Sequence, residues 1–179
     1  MTICDADIID AMERNVEAGF KLLLQRYKEP VYWHIRRIVV SHADAQDAMQ
    51  ETFVRIYKSY TSIKSPNAFK AWIYKIATNE ALRFRDCRKI ALLNIDDKTV
   101  DKSKMFASTY VNFNDLEAVK LQKAILSLPT KQQLVFNMRY YDELSYEQIA
   151  SVTGSLVVNV KVNYSIAKNK IINYLKEND

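Results

Sequence analysis

Glycine, proline and cysteine are scarce in this chain: two, three and two among 179 residues. So few helix breakers mean a sequence that reads as mostly helical, with little need for tight turns. Cys4 and Cys87 are too few and too far apart for a disulfide scaffold or a four-ligand zinc site, which leaves free thiols in a reducing compartment. No apolar run approaches the ~18 residues of a membrane span, and the acidic N-terminal stretch has the wrong sign for a secretion signal. The expected setting is the cytoplasm, without membrane insertion. A glycine-rich phosphate loop is missing, and His34 and His42 form no converging cluster. A nuclease or phosphatase that used Asp44, Asp47 and Glu51 as metal ligands would therefore lack its nucleophile and its further ligands. The chain is expected not to be an enzyme and to need no metal, cofactor or small-molecule substrate.

What is present is positive charge, unevenly spread. The net charge is +5 and the pI near 9.1, which suits an anionic partner. Residues 1–20 set five carboxylates against Arg14 alone, whereas residues 64–89 set seven Lys or Arg against two acids. Residues 120–179 hold eight Lys or Arg against five acids. Two basic segments behind an acidic opening suggest two separate nucleic-acid contacts.

The most specific local signal lies near the C-terminus. Ser145 and Gln148 have the spacing of a capping box, and Gly154 supplies the left-handed residue that ends the short helix they begin. A second helical pattern follows at once, with Val160, Tyr164, Ala167 and Ile171 as its apolar stripe. Ala150 lets the two helices approach, and Val160 locks the second on the first. That is a helix-turn-helix, whose second helix enters the DNA major groove.

Upstream, residues 8–40 carry an inward stripe of Phe20, Leu23, Leu24, Tyr27, Val31, Ile35 and Ile38, with Pro30 expected to break or kink it. A cleaner amphipath over residues 44–60 buries Ala45, Met49, Phe53, Ile56 and Tyr60 and turns Asp44, Asp47, Glu51 and Arg55 the other way. Ser65-Pro66 offers a cap and a first-turn proline for a third helix, whose core face is Phe69, Trp72, Ile73, Ile76, Ala77 and Phe84. A polar stretch without sustained period follows. The fold class is therefore all-α: two small helical domains, residues 1–92 and 116–179, on a flexible linker of residues 93–115.

With these residues in hand, the chain resembles a bacterial extracytoplasmic-function (ECF) sigma factor. One block runs Asp44-Ala-Gln-Asp-Ala-Met-Gln-Glu-Thr-Phe-Val-Arg-Ile-Tyr57 and continues through Ala68-Phe-Lys-Ala-Trp-Ile-Tyr-Lys-Ile-Ala-Thr-Asn-Glu-Ala81, similar to sigma domain 2. The other comprises Leu128-Pro129, Tyr140, Leu144-Ser-Tyr-Glu-Gln-Ile-Ala150, Gly154, Val160-Lys161 and Ala167, similar to sigma domain 4. The resemblance implies a protein that binds core RNA polymerase and directs it to promoter DNA, under the control of an anti-sigma factor.

It also implies roles for residues. Asp44, Asp47, Gln50, Glu51 and Arg55 would dock on the polymerase clamp; without a partner the same charges read as a solvated face with a Glu51–Arg55 pair. Lys64, Asn67, Trp72, Tyr74, Lys75, Thr78 and Asn79 would handle the −10 element. Melting needs groups that stack on bases or track phosphates, and Tyr74 and Lys75 are the expected exposed contacts, Trp72 being mainly a core aromatic. Val158, Asn159, Lys161, Val162, Asn163, Ser165 and Lys168 would face the −35 element. Here the chain departs from the family's usual Thr-Val-Lys-Ser-Arg-Leu, reading Asn159-Val160-Lys161-Val162-Asn163-Tyr164. Three accounts stand open for so apolar a surface: valines on thymine methyls with Asn159 or Asn163 on adenine, weak base reading with lysines on phosphate, or a face that also meets a protein.

Overall fold

The structure is a computed structural model that describes residues 3–39, 41–63, 65–93 and 116–178. Residues 94–115, which hold most of the expected linker, and Lys64, an expected −10 contact, lie outside the described residues. All regular secondary structure among the described residues is helical. The chain divides into two compact units, Met1–Val100 and Asp101–Asp179.

The first unit contains α1 (Asp5–Arg14), α2 (Val16–Arg36), α3 (His42–Ser59), a single 3-10 turn (Tyr60–Ser62) and α4 (Pro66–Leu93). Its core is built from the expected stripes: Leu23, Tyr27, Val31 and Ile35 of α2, Ala45, Phe53 and Ile56 of α3, and Phe69, Ile73 and Ala77 of α4 are all buried. Tyr27 meets Phe69 edge-on at 5.9 Å between ring centroids.

Two expectations for the N-terminal stripe change. The break falls not at Pro30 but at Asn15, which closes α1 by donating its N–H to Ala11 O at 2.8 Å and opens α2 by accepting from Ala18 N at 3.0 Å. One residue serves as both caps because its backbone is extended, with φ −153°. Pro30 is exposed and sits inside an unbroken α2. It removes one backbone hydrogen bond, but Tyr27 and Val31 on either side of it are buried and hold the turn in place. Gly19 explains how closely α1 and α2 pack: a Cβ there would lie 2.6 Å from Met12 Cα. Asp5 ties the same pair together, bonding Arg26 at 3.1 Å and accepting from the Tyr27 hydroxyl at 2.8 Å.

The second unit contains α5 (Leu116–Leu126), α6 (Thr130–Tyr140), α7 (Tyr146–Thr153) and α8 (Val157–Glu177). Ala124, Ile125, Leu128, Phe136, Ala167 and Ile171 form one buried cluster, with Tyr164 packed against it. Both halves of the capping box are made: Gln148 N donates to Ser145 Oγ at 3.1 Å, and Ser145 N donates to Gln148 Oε1 at 2.9 Å. Gly154 has φ 64° and ψ 29°, the left-handed conformation required at that turn. Val160 is 1% exposed, so the second helix is pinned where its first full turn begins.

Candidate functional site

On α3 the charged face is divided. Asp47, Gln50 and Glu51 are exposed. Asp44 is not free as expected: its carboxylate accepts from Arg88 of α4 at 2.8 Å. Arg55 also turns to α4, where it pairs with Glu80 and not with Glu51. The Glu80 side chain is only 5% exposed. Arg83 completes the cluster by donating from Nε at 2.9 Å and from a terminal nitrogen at 2.7 Å. A carboxylate withdrawn from water needs such partners, and this one draws in two guanidinium groups. The hydrogen bond and charge of Glu80 hold the Arg83 guanidinium above its ordinary pKa. The helix thus uses its ends to clasp α4 and leaves Asp47, Gln50 and Glu51 in its middle exposed.

Beside Gln50 an open groove of about 550 Å³ runs between α2 and α3, lined by Phe20, Leu24, Phe53, Val54 and Tyr57 and edged by Lys28 and Lys58. Val54 and Tyr57 are 45% and 43% exposed. Sequence reading passed over these residues. The signal was there in the i, i+4, i+7 run of Gln50, Val54 and Tyr57, which widens the apolar arc of α3 beyond what one core requires.

On α4, Asn67, Lys75 and Asn79 are exposed. Trp72 is partly exposed and stacked on Phe69, with ring centroids 6.1 Å apart and planes 19° from parallel. Tyr74 and Thr78 correct the sequence reading: they are 2% and 4% exposed. The Tyr74 ring meets the buried His34 ring of α2 at 4.9 Å, and Thr78 Oγ1 lies 2.8 Å from His34 Nε2 while donating to Tyr74 O at 2.7 Å. The reason is packing on several sides. Helix α4 touches α1, α2 and α3, so its buried arc extends roughly 200° around the axis, not along one stripe. Neither side chain is presented to an incoming strand.

On α8, Val158 and Val162 are 69% and 50% exposed, and Asn159, Lys161, Ser165 and Lys168 are exposed as well. Asn163 is half-buried, and its amide donates to Asn159 O at 2.9 Å within the helix. Lys161 Nζ lies 5.6 Å from the Tyr146 ring centre and Arg139 Cζ 5.0 Å from it, gathering two cations around the start of α7. Glu147, on that same turn, is held below the ordinary carboxylate range by its own backbone N–H, then by the Ser145 hydroxyl and by the charges of Lys161 and Arg139. Among the described residues no group of three His, Cys, Asp or Glu is placed to hold a metal ion. None of the described helices is long and apolar enough to cross a membrane.

A helix-turn-helix with an exposed basic second helix, joined to a separate helical unit with an exposed polar helix face of its own, defines a two-module DNA-binding protein. The family comparisons make the class specific. Residues 23–89 match the family model for sigma-70 region 2, and residues 118–171 match that for sigma-70 region 4. The chain belongs to the sigma-70 family, with the two-domain organisation of its ECF branch. That family consists of transcription initiation factors, which bind core RNA polymerase and promoter DNA. Among curated relatives, the ECF RNA polymerase sigma-E factor of Haemophilus influenzae is 25% identical, over 97% of this chain and 96% of its own. That of Escherichia coli K12 is 26% identical, over 96% and 94%. Two solved structures share the fold. CnrH in complex with the cytosolic domain of CnrY has a TM-score of 0.68 at 19% identity, covering 98% of this chain and 96% of its own. The sigma factor RpoE with the anti-sigma factor NepR from Bartonella quintana has 0.73 at 21%, covering 88% and 96%.

Proposed function

We propose that residues 1–92 carry this sigma factor onto core RNA polymerase and engage the −10 element, that residues 93–115 serve as the tether, and that residues 116–179 bind the −35 element. The protein works in the cytoplasm and carries out no catalytic step of its own. Polymerase docking falls to Asp47, Gln50 and Glu51, with the neighbouring groove receiving apolar side chains; Asp44 and Arg55 act behind them by fixing α3 to α4. Asn67, Trp72, Lys75 and Asn79 meet the −10 strand, where a flat ring edge stacks and a lysine tracks phosphate. The observation that carries this reading is the exposed polar centre of α3, bounded at both ends by interhelix ion pairs. A solvated helix has no need of so rigid a frame around three exposed residues.

The test is Glu51→Arg. The residue is exposed, so the fold should survive, with an unchanged helical circular dichroism spectrum. Affinity for core enzyme should fall at least tenfold, since reversing a charge at a matched interface is typically worth more than about 1.4 kcal/mol. Wild-type affinity in this variant would refute the docking role.

Control by an anti-sigma factor belongs to the same proposal. Its support is that the related folds above were solved with CnrY and NepR bound. A partner that covers α3 should compete directly with core enzyme.

A further inference from the structure

The outward surface of α8 is unusual for a helix meant to lie against DNA. At 100° per residue, Val158 and Val162 stand within about 40° of each other and almost opposite the buried Val160. Leu156, just ahead of the helix, is 72% exposed, and Ile166, one turn beyond Val162, is 39% exposed. The second unit already has its own buried cluster, so these side chains are surplus to its core. Lysines border the strip on both sides. Lys161 and Lys168 flank it on one edge and Lys170 on the other, where it donates to Gln132 of α6 at 3.1 Å. From Val157 to Lys176 the helix contains four lysines and not one Asp, Glu or Arg.

That distribution fits a major groove. An apolar centre meets base edges while cations on either flank meet the two phosphate walls. In that groove the apolar group on a base edge is the thymine 5-methyl, whereas guanine is read mainly by Arg or by a centrally placed Lys. Helix α8 has no arginine, and Lys161 is drawn aside toward the Tyr146 ring. Asn163 spends an amide hydrogen on its own helix, whereas Asn159 at the start of the strip and Asn169 further along it are exposed amides.

We propose that α8 selects its site through thymine methyl groups, with Val158 and Val162 as the specificity-determining residues, so that the −35 element is rich in A·T pairs and carries thymines where the strip lies. This rests on the assignment of α8 to the −35 element. Asn159 adds an adenine contact, and the flanking lysines bind phosphate without regard to sequence. Lysines on both edges, with no carboxylate from Val157 to Lys176, match two phosphate walls better than a mixed protein surface, so duplex DNA is the better occupant.

The test uses the full chain with core polymerase and a promoter library randomised in the −35 segment above a fixed −10 element. Recovered templates should be enriched in thymine at two or more positions. Replacing those thymines by deoxyuridine removes the methyl group and nothing else. Initiation should then fall roughly fourfold per methyl, the equivalent of one buried methylene. The V158A/V162A double variant changes only exposed side chains and should remain folded, but it should lose most of its sensitivity to deoxyuridine. A recovered element dominated by G·C pairs, or deoxyuridine templates used as well as thymine ones, would overturn the proposal. So would unaltered promoter selection by a Val158→Asp, Val162→Asp variant, a result that hands the strip to a protein partner. Failure of the chain to form an active holoenzyme on any template would instead strike the assignment on which the proposal stands.

Discussion

Replacing Tyr74 with alanine separates two accounts of α4. The ring is 2% exposed and packs edge-on against His34 at 4.9 Å, with Thr78 bridging the two residues. A buried tyrosine removes roughly 150–200 Å² from water, worth about 4–5 kcal/mol at about 25 cal/mol per Å². Aromatic-to-alanine substitutions in cores give a similar figure, about 3–5 kcal/mol. In a domain of this size each kcal/mol lowers the melting temperature by about 4–8 °C, so the first unit should melt at least ~12 °C lower or fail to fold. Scanning calorimetry on the full chain should show this loss with the transition of the second unit unchanged. Core-enzyme binding should disappear along with promoter opening, because α3 rests on α4. Tyr74→Phe, which keeps the ring, should stay close to wild type in both. A Tyr74→Ala protein with unaltered melting and core binding, but no open-complex formation, would refute the reasoning and restore the ring to a base-stacking role.

Glu80 offers a test by double-mutant cycle. Arg55→Leu and Arg83→Leu should each be mild, since the carboxylate keeps one partner, whereas the pair together should cost about 3–5 kcal/mol by stranding a buried charge; additive losses in urea unfolding would contradict that arrangement. Gly154→Ala should destabilise the second unit by about 1–2 kcal/mol, because its φ of 64° is strained for any L side chain although space around it is open; an unchanged melting temperature would count against the left-handed cap.

Much of the fold was legible because its signals are local. The Ser145–Gln148 box, Gly154 and the Val160 stripe act within a few residues of chain, and each stands where its spacing put it. The Asn15 break was hidden because the apolar period runs on from Met12 through Gly19 into α2 while the chain changes direction. Pro30 misled for the opposite reason, its local cost being outweighed by buried neighbours on each side. At the candidate site, the exposed residues Gln50, Glu51 and Lys75 lay on surfaces that a single-stripe reading leaves outward. The same reading also put Tyr74, Thr78, Asp44 and Arg55 outward, but α4 is contacted by three helices and the partners that bury or pair those four are distant in sequence. A helical wheel registers one neighbour; it cannot register three.

The most direct measurement of the central claim is promoter-directed transcription with purified components. The chain and core polymerase together should yield transcripts from a fixed start site, each alone should yield none, and the chain by itself should show only weak, salt-sensitive binding to intact duplex. Tight, sequence-selective binding of the isolated chain to closed duplex, with no factor-dependent transcription when core enzyme is added, would contradict it.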